Sequence, residues 1–395
     1  MKYQSTLLGQ LLHFLPRDQF QIIVEKYNGD FKTHKMDCWT QFVSLVYAQL
    51  RQRDSLRDIE TGLEVQLTKL THIGIQPVKR STLSDANTKR DSRIYEEAFH
   101  CLLLKCQDLH RNQNKLGFEN PISSMDATTL NLCHSLFPWA RYRKRKGAIK
   151  MHLMLNHENG LPEFVHITEG RVHESTIMRS FPVRPDSIVV FDRGYYDFAW
   201  FYALHQQKTT FVVRAKSNLD YVLTGQHKIT QESDGAGVLS DEDIRISARL
   251  DSQPNVEPLY PEVLRLVTYE DPDTGKELRF LTNNETFKPE TIALIYKQRW
   301  QIELFFKWIK QHLKIKTFLG TSKNAVMTQI WVALIVYLIL WFVKKQTHYQ
   351  KSLHTLSRVI NEAIFERIHL VDILNLTHWK PPASLASTQL HFCFG

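Results

Sequence analysis

Residues 296–310 do more than any other segment to restrict the folds that this chain can adopt. At about 100° of rotation per residue, four polar side chains fall on one stripe of a helix, namely Tyr296, Arg299, Glu303 and Lys310. Six apolar side chains collect on a separate face, namely Ile295, Ile302, Phe305, Phe306, Ile309 and Leu313. The pattern predicts one continuous amphipathic helix that docks on a core and holds a carboxylate between cations. The alternative is an ordinary solvated helix with ion pairs along one face.

A second segment, residues 330–343, is an unbroken apolar run that follows this helix. It is shorter than the roughly 20 residues that span a bilayer. We therefore expect a buried core helix that a sheet could cover, and no membrane partner. With 395 residues and 43% hydrophobic content, the chain can bury one large core or two moderate ones.

The charge balance favours a polyanionic partner. Fifty Lys and Arg against 41 Asp and Glu give a net charge of +9 and a pI of about 9.1, so nucleic acid is the leading candidate. Residues 1–5 lack the apolar stretch of a signal peptide, and export is not expected.

The cysteines indicate reduced thiols of an intracellular, cytoplasmic protein, because there are five of them without a CxxC motif. They are Cys38, Cys101, Cys106, Cys133 and Cys393. A zinc site made of Cys101, Cys106 and His110 is a weaker alternative, since no second pair of ligands accompanies them.

Residues 1–120 show helical periodicity and few strand signals, which predicts a helical N-terminal domain. Asp37 or Thr40 can cap one of its helices, and Asp54 can cap the next.

After a turn at residues 73–77, basic and small polar residues open another helix at Lys79 and Arg80. The arrangement resembles a helix-turn-helix whose reading helix is exposed. It predicts that the N-terminal domain binds DNA, although a plain solvated helix would show the same residues.

From residue 121 the pattern changes to short strands. Strands are predicted at residues 122–132, 148–156, 161–169, 187–191 and 209–215, with a helix at residues 197–206. Residues 219–285 add strand-like pieces at 243–248, 263–269 and 278–282, which we interpret as a β insertion. The predicted fold class is therefore mixed α/β, with a sheet domain over residues 121–345 and a helical tail over residues 346–395.

Three carboxylates in this region suit metal-assisted chemistry on a phosphate backbone. Asp126 lies inside a predicted strand, where aspartate is disfavoured unless it is used. Asp192 follows a buried strand, at the end where open α/β sheets place ligand sites, and Glu303 supplies a third acid. Two divalent ions can serve the attacking and leaving oxygens of a phosphodiester. For each aspartate alone, a helix cap is the alternative explanation.

The spacing of Tyr296, Arg299, Glu303 and Lys310 resembles the signature of the Asp-Asp-Glu (DDE) insertion-sequence transposases. Within that family it resembles the group marked by this Tyr-Arg-Glu-Lys (YREK) motif, of the insertion sequence four type. Residues 125–129 look like the family's first-aspartate strand, and residues 191–197 look like its second-aspartate segment. The resemblance extends through the helical stretch at residues 42–63 and ends near residue 345.

This resemblance implies a ribonuclease-H-like core in which Asp126, Asp192 and Glu303 hold two Mg²⁺ or Mn²⁺ ions. The implied reaction is metal-dependent cleavage at the ends of the element, followed by strand transfer. Cut-and-paste movement through a hairpin intermediate is expected on the same ground.

The resemblance also implies the DNA contacts. Arg299 and Lys310 would hold phosphates near the transposon end, and Tyr296 would contact the end DNA beside a flipped base. The implied partners are double-stranded DNA, as element ends and target, and a second copy of the chain on that DNA. The implied location is the nucleoid of a bacterial cytoplasm.

A basic segment precedes the second predicted strand and surrounds Tyr142. Its five basic residues are Arg141, Arg143, Lys144, Arg145 and Lys146. We interpret it as a phosphate-binding loop, with a solvated turn as the alternative. Three nearby histidines are expected to be neutral structural side chains rather than ligands, namely His152, His166 and His173.

Two other functions stay open on the sequence. One is a structure-specific endonuclease of the same fold, which would cut DNA without joining it. The other is a DNA-binding regulator derived from a transposase. Three converging acids argue against the regulator, because a protein that only binds DNA has no use for them.

Overall fold

The computed structural model describes residues 5–109, 120–143, 146–247 and 259–376. Contacts between Cα atoms divide the chain into two compact units. The helical unit comprises residues 1–102 with 312–395, and the sheet unit comprises residues 103–311. In this division the apolar segment 330–343 groups with the N-terminal helices.

The secondary structure of the described residues agrees with the mixed α/β prediction. The helices are α1 (Leu7–Leu12), α2 (Arg17–Lys26), α3 (Cys38–Leu50), α4 (Leu56–Glu64), α5 (Leu67–Leu70), α6 (Arg80–Lys89), α7 (Arg93–Asp108), α8 (Glu174–Ile177), α9 (Phe198–Gln206), α10 (Gln231–Gly235), α11 (Pro289–Lys297), α12 (Trp300–His312), α13 (Lys323–Gln346), α14 (Leu353–Ala363) and α15 (Leu370–Leu376). The strands are β1 (Ile122–Leu132), β2 (Arg141–Arg143), β3 (Lys146–Asn156), β4 (Pro162–Glu169), β5 (Ile188–Phe191), β6 (Thr210–Arg214), β7 (Tyr221–Gln226), β8 (Val238–Ile246), β9 (Leu264–Glu270) and β10 (Glu277–Thr282). Each predicted strand has a counterpart, whereas β7 and α10 were not predicted because Gly and Ser residues give that region the character of a loop.

Helix α13 lies in the core of the helical unit. By length and composition it could cross a membrane, but 89% of its most apolar 18-residue window is buried. It packs against α3, α6 and α14, and the ring centroid of Trp331 lies 5.3 Å from that of Phe99. The prediction of a buried core helix is confirmed. Neighbouring helices of the same unit supply apolar surface that covers it.

The N-terminal helices begin close to where their capping residues predict. The carboxylate of Asp37 accepts a hydrogen bond from the backbone N–H of Thr40 at 2.7 Å and caps α3. Ser55 rather than Asp54 caps α4 and completes a capping box. Asp54 instead forms an ion pair with Lys314 at 2.6 Å.

The described strands form one mixed sheet in the order β2-β3-β1-β5-β6-β10-β9-β8-β7, with β4 also paired to β3. Strands β1, β5 and β6 are parallel neighbours. Strand β3 pairs with β1 and β10 pairs with β6, both antiparallel. Strands β8, β9 and β10 of the predicted β insertion therefore continue the same sheet, because β10 joins it at β6.

Apolar side chains cover both faces of the sheet. On one face, Val190 of β5 belongs to a cluster with Ile292 and Ile295 of α11. On the other face, Phe191 of β5 packs with Phe201 of α9. Because side chains alternate along a strand, every second residue of β5 points towards α11.

Residues 296–310 do not form one helix. Helix α11 ends at Lys297 and α12 begins at Trp300. At the break, the backbone N–H of Arg299 bonds to the carbonyl of Tyr296 at 3.0 Å, which is the tighter three-residue spacing. The prediction of a continuous helix is wrong, because periodicity does not reveal one tightened turn. The predicted apolar face is confirmed, since the six side chains named for it are all buried, namely Ile295, Ile302, Phe305, Phe306, Ile309 and Leu313.

Candidate catalytic site

Asp126 and Asp192 occupy equivalent positions on neighbouring parallel strands. Strands β1 and β5 pair in register up to Met125 and Phe191. Asp126 is the next residue of β1, and Asp192 directly follows β5 with an extended backbone. Because side chains alternate, both point towards the face that α11 covers. The carboxylate of Asp192 also accepts a hydrogen bond from the N–H of Arg193 at 2.7 Å. Asp192 therefore caps the turn that follows it without leaving this face.

Glu303 is connected to Asp126 through Arg299. The Nη2 atom of Arg299 lies 2.6 Å from Oε1 of Glu303, and its Nη1 atom lies 3.7 Å from Oδ2 of Asp126. The side chain of Arg299 is 18% exposed, that of Glu303 is 34% exposed and that of Asp126 is 21% exposed. The tightened turn between α11 and α12 thus places a guanidinium between two of the three predicted acids.

The site holds more negative charge than Arg299 compensates. Burial, together with the charges of Asp192 and Glu303, raises the pKa of the Asp126 carboxyl to about 6, against the lowering effect of a hydrogen bond from Ala127 and of the Arg299 charge. A carboxyl that resists ionisation for this reason gains from a cation brought close to it.

Among residues 5–109, 120–143, 146–247 and 259–376, no group of three or more His, Cys, Asp or Glu side chains is gathered closely enough to hold a metal. The chemistry of the donors nevertheless fits a divalent cation, because Asp126, Asp192 and Glu303 offer hard carboxylate oxygens where positive charge is lacking. The two aspartates share one face of the sheet, Glu303 lies on α12, and Arg299 stands between Asp126 and Glu303.

Arg214 joins this site without having been predicted. It ends β6 beside Asp192, because β5 and β6 pair in parallel register at Phe191 and Val213. Its Nε atom is buried and has no hydrogen-bond partner among the described residues. Its charge lowers the pKa of Tyr296, which burial raises. The signal that singled out Asp126, a charged residue inside a predicted strand, could have found Arg214 as well, because Arg214 lies within the strand predicted at residues 209–215.

Tyr195 and His157 are two further buried polar side chains near the acids. Tyr195 is 1% exposed, and burial raises its pKa well above the ordinary range, with the charges of Asp126 and Asp192 adding to the effect. The Nε2 atom of His157 lies 2.6 Å from Oγ of Ser124, and burial lowers the pKa of His157 to about 4. No sequence signal distinguishes these two residues from ordinary core side chains.

Tyr296 and Lys310 lie at opposite ends of the predicted signature. Tyr296 is half-buried at the end of α11, with its ring centroid 4.7 Å from that of Phe280 and 5.6 Å from the guanidinium carbon of Arg299. Lys310 is half-buried near the end of α12. The structure thus brings Tyr296, Arg299 and Glu303 together and places Lys310 two turns along the same helix.

The basic segment is only partly the loop that was predicted. Its first three residues form β2, which pairs with β3 in the register Arg141–Gly147 and Arg143–Lys146. Lys144 and Arg145 lie outside the described residues. The loop prediction is wrong for the part that forms β2.

The predicted reading helix α6 has a buried side and an exposed side. Leu83 and Asn87 are buried. Lys79, just before the helix, is 65% exposed and pairs with Glu60 at 3.2 Å, and Arg80 is exposed as well. Both cations therefore lie on a solvent-facing surface, as a reading helix requires.

The surroundings of His152, His166 and Cys106 agree with structural roles for these side chains. His152 is buried with its Nε2 atom 2.9 Å from Oγ1 of Thr168, and burial lowers its pKa to about 4. Burial also lowers the pKa of His166 and raises that of Cys106 to about 12. His110, the third member of the weaker zinc hypothesis, lies outside the described residues.

Comparison with known proteins identifies the family of the chain. A family profile described as a transposase DDE domain matches residues 117–339, and one described as a domain of unknown function, DUF4372, matches residues 3–76. The chain is 32% identical to transposase y4zB of Sinorhizobium fredii over 76% of this chain and 83% of that protein. It is 27% identical to the transposase for insertion sequence element IS5377 of Geobacillus stearothermophilus, over 71% of each chain. It is 28% identical to the transposase for insertion sequence element IS4SA of Synechocystis, over 71% of this chain and 76% of that protein. The chain therefore belongs to the DDE transposases, a family of metal-dependent DNA-cleaving enzymes encoded by insertion sequences.

Proposed function

We propose that this transposase cleaves and joins the ends of its own insertion sequence and that Asp126, Asp192 and Glu303 are its metal-binding acids. One observation carries the assignment. The two aspartates stand side by side on parallel strands, on the sheet face covered by α11, and Glu303 of the following helix shares a guanidinium with Asp126.

The cofactor in this proposal is Mg²⁺ or Mn²⁺, with two ions per site. Such ions activate the attacking water and stabilise the leaving oxygen of a phosphodiester. Asp126 and Asp192 present neighbouring oxygens from a rigid sheet, and Glu303 approaches from a helix whose apolar face is buried. A site held on rigid elements keeps the scissile phosphate in line for attack.

The end DNA in this proposal is held by residues around the acids. Tyr296 offers a ring for stacking, while Arg299 and Lys310 bind phosphates. We add Arg214, because the register of β5 and β6 places it next to Asp192 and its buried Nε has no partner among the described residues. An arginine held next to a carboxylate is well placed to receive a phosphate once metal neutralises the acids.

The longer DNA contacts are assigned to two basic segments of the sequence. The exposed Lys79 and Arg80 at the start of α6 would bind the terminal repeats, and the basic segment at residues 141–146 would bind the backbone near the cut. The net charge of +9 supports both contacts.

We further propose cut-and-paste movement through a hairpin intermediate, with two copies of the chain assembled on paired ends. This proposal places the chain in the YREK group of the insertion sequence four type, acting on the nucleoid in a bacterial cytoplasm. It is supported by the signature spacing at Tyr296, Arg299, Glu303 and Lys310.

The test is cleavage of linear DNA that carries the sequences flanking the gene, in Mg²⁺ or Mn²⁺, by wild type and by Asp192→Ala. Wild type should cut at the repeat boundaries, and the variant should not cut while it still shifts the DNA in a gel. Asp273→Ala is the matched control, because it removes the same charge from a side chain that is 78% exposed. Loss of binding together with cleavage in Asp192→Ala would contradict the metal-ligand role.

The same assay separates the other two functions. Cutting without regard to the repeat boundaries would identify a structure-specific nuclease. Binding without cleavage by the wild type would identify a regulator.

A further inference from the structure

Arg299 has an unexpected position for a residue that should hold DNA phosphates. Its guanidinium lies 2.6 Å from a Glu303 oxygen and 3.7 Å from an Asp126 oxygen. Its side chain is 18% exposed, and its Nε atom has no hydrogen-bond partner among the described residues. The cation therefore lies between two of the acids assigned to metal, and it is incompletely bound there.

The break between α11 and α12 produces this position. The N–H of Arg299 bonds to the Tyr296 carbonyl with three-residue spacing, and the ring of Tyr296 lies 5.6 Å from the guanidinium carbon. The aromatic ring of Tyr296 and the carboxylates of Glu303 and Asp126 thus surround the guanidinium.

A divalent cation would compete with Arg299 for the same oxygens. Mg²⁺ binds carboxylate oxygens at about 2.0–2.1 Å, whereas Oε1 of Glu303 is already within hydrogen-bond distance of Nη2 of Arg299. Both competitors are positive, and at such separations their repulsion is large in a half-buried site. One of them has to leave before the other is well bound.

We propose that Arg299 is an internal counter-ion that weakens metal binding until a DNA phosphate draws it away from Asp126 and Glu303. The inference rests on the proposed function, since it takes these acids to be metal ligands. Binding of DNA and binding of metal then strengthen one another, and thermodynamic linkage makes the factor equal in both directions. An enzyme built in this way binds its metal firmly only when DNA fills its site.

The first test measures Mn²⁺ binding to the full chain without DNA, by electron paramagnetic resonance of the free ion. Arg299→Gln should bind Mn²⁺ roughly tenfold more tightly than wild type, a coupling of ordinary size. Arg193→Gln is the matched control, because Arg193 is an exposed neighbour of Asp192 without an ion pair to a carboxylate in the described residues. The control should change the affinity by less than about threefold, since an exposed charge is well screened. Unchanged or weaker Mn²⁺ binding by Arg299→Gln would overturn the inference and make Arg299 a residue that orients Glu303.

The second test measures the linkage itself. A short duplex carrying the flanking sequence of the gene should tighten Mn²⁺ binding to wild type, after subtraction of the binding by the duplex alone. The same duplex should tighten binding to Arg299→Gln much less. Equal tightening in both proteins would contradict the proposal. If Arg299→Gln proves poorly folded, Arg299→Lys takes its place in the test. This variant keeps the charge but loses the planar fork, so the duplex should tighten its Mn²⁺ binding by less than in wild type and by more than in Arg299→Gln.

Asp192→Asn separates a failure of this inference from a failure of the proposed function. If Asp192→Asn binds Mn²⁺ as wild type does, the assignment of the acids is wrong and the proposed function fails with it. If Asp192→Asn loses Mn²⁺ binding while Arg299→Gln gains none, the assignment stands and only the counter-ion role of Arg299 is overturned.

Discussion

Two arginines of the sheet unit bind carboxylates in opposite ways, and Arg265 is the saturated case. Its Nε and Nη2 atoms donate to Asp241 at 2.7 and 2.6 Å, and its Nη1 atom donates to the carbonyl of Phe287 at 2.6 Å. The two charged side chains are 6% and 4% exposed. This pair links β8 and β9 to the segment that leads into α11.

Arg299 is the unsaturated case. It is divided between Glu303 at 2.6 Å and Asp126 at 3.7 Å, and its Nε atom is unpaired among the described residues. The comparison teaches that burial of an ion pair does not by itself define its role. A pair with all its hydrogen bonds made stabilises the fold, whereas one with bonds unmade remains able to exchange partners.

Breaking the saturated pair should have the largest effect on stability. Asp241→Ala leaves the Arg265 charge buried without a counter-charge, which costs about 3–5 kcal/mol in the free energy of unfolding. Urea denaturation measures the loss. Glu232→Ala is the control. Glu232 and its ion-pair partner Lys288 are 76% and 65% exposed, so this pair should contribute less than about 1 kcal/mol to the free energy of unfolding. Similar losses in the two variants would remove the distinction between the arginines.

The unsaturated site should make stability depend on pH. The folded pKa of Asp126 is raised from 3.8 to about 6, so its ionisation favours the unfolded chain. Its contribution to stability is complete below pH 4 and is lost as the pH rises through 6, at about 1.4 kcal/mol per pKa unit. In EDTA, the free energy of unfolding of wild type should therefore fall by about 2–3 kcal/mol relative to that of Asp126→Asn between pH 4 and pH 7, as urea denaturation at each pH would measure. Parallel unfolding curves for the two proteins across this range would show that Asp126 is well compensated.

Replacing each arginine by lysine should sharpen the contrast at constant charge. Arg265→Lys loses the planar fork and the bond to Phe287, which costs about 2 kcal/mol in unfolding free energy. Arg299→Lys breaks fewer complete bonds and should cost less than about 1 kcal/mol. Thermal unfolding of the two variants side by side measures the difference, and the reverse order of stability would contradict the comparison.

The smallest expected effect concerns DNA. If Arg299 exchanges onto a phosphate, Arg299→Gln should reduce the slope of log K against log salt by about one unit. Arg265→Lys should leave the slope unchanged because Arg265 is buried. Fluorescence anisotropy of a labelled duplex at several salt concentrations measures both slopes. An unchanged slope for Arg299→Gln would indicate that Arg299 stays with the acids on DNA.

The local parts of this fold could be predicted because their signals are local. Strand β1 coincides with the predicted residues 122–132, and β5 begins one residue later than predicted. The buried face of α12 follows from apolar spacing alone. The three candidate acids could be named from local signals. Asp126 lies inside a predicted strand where aspartate is disfavoured, Asp192 follows a buried strand, and Glu303 has cations beside it on a predicted helix.

Other features escaped prediction because they depend on which distant segments pair. Strand β10 joins β6, which makes the insertion part of the main sheet. Helix α13 packs against α3 and α6, although an apolar helix could have been covered equally well by a sheet. Arg214 reaches the site only because β6 lies beside β5.

The sequence by itself determined most of the elements, the candidate acids and the family signature, because these depend on residue type at short spacing. Only the tertiary structure decided that Asp126 and Asp192 stand side by side and that Arg299 lies between Asp126 and Glu303. Those relations depend on strand register and on one tightened turn between α11 and α12. The physical reason is that periodicity fixes which face a side chain occupies, whereas the distance between two charges is set by packing between segments far apart in the chain.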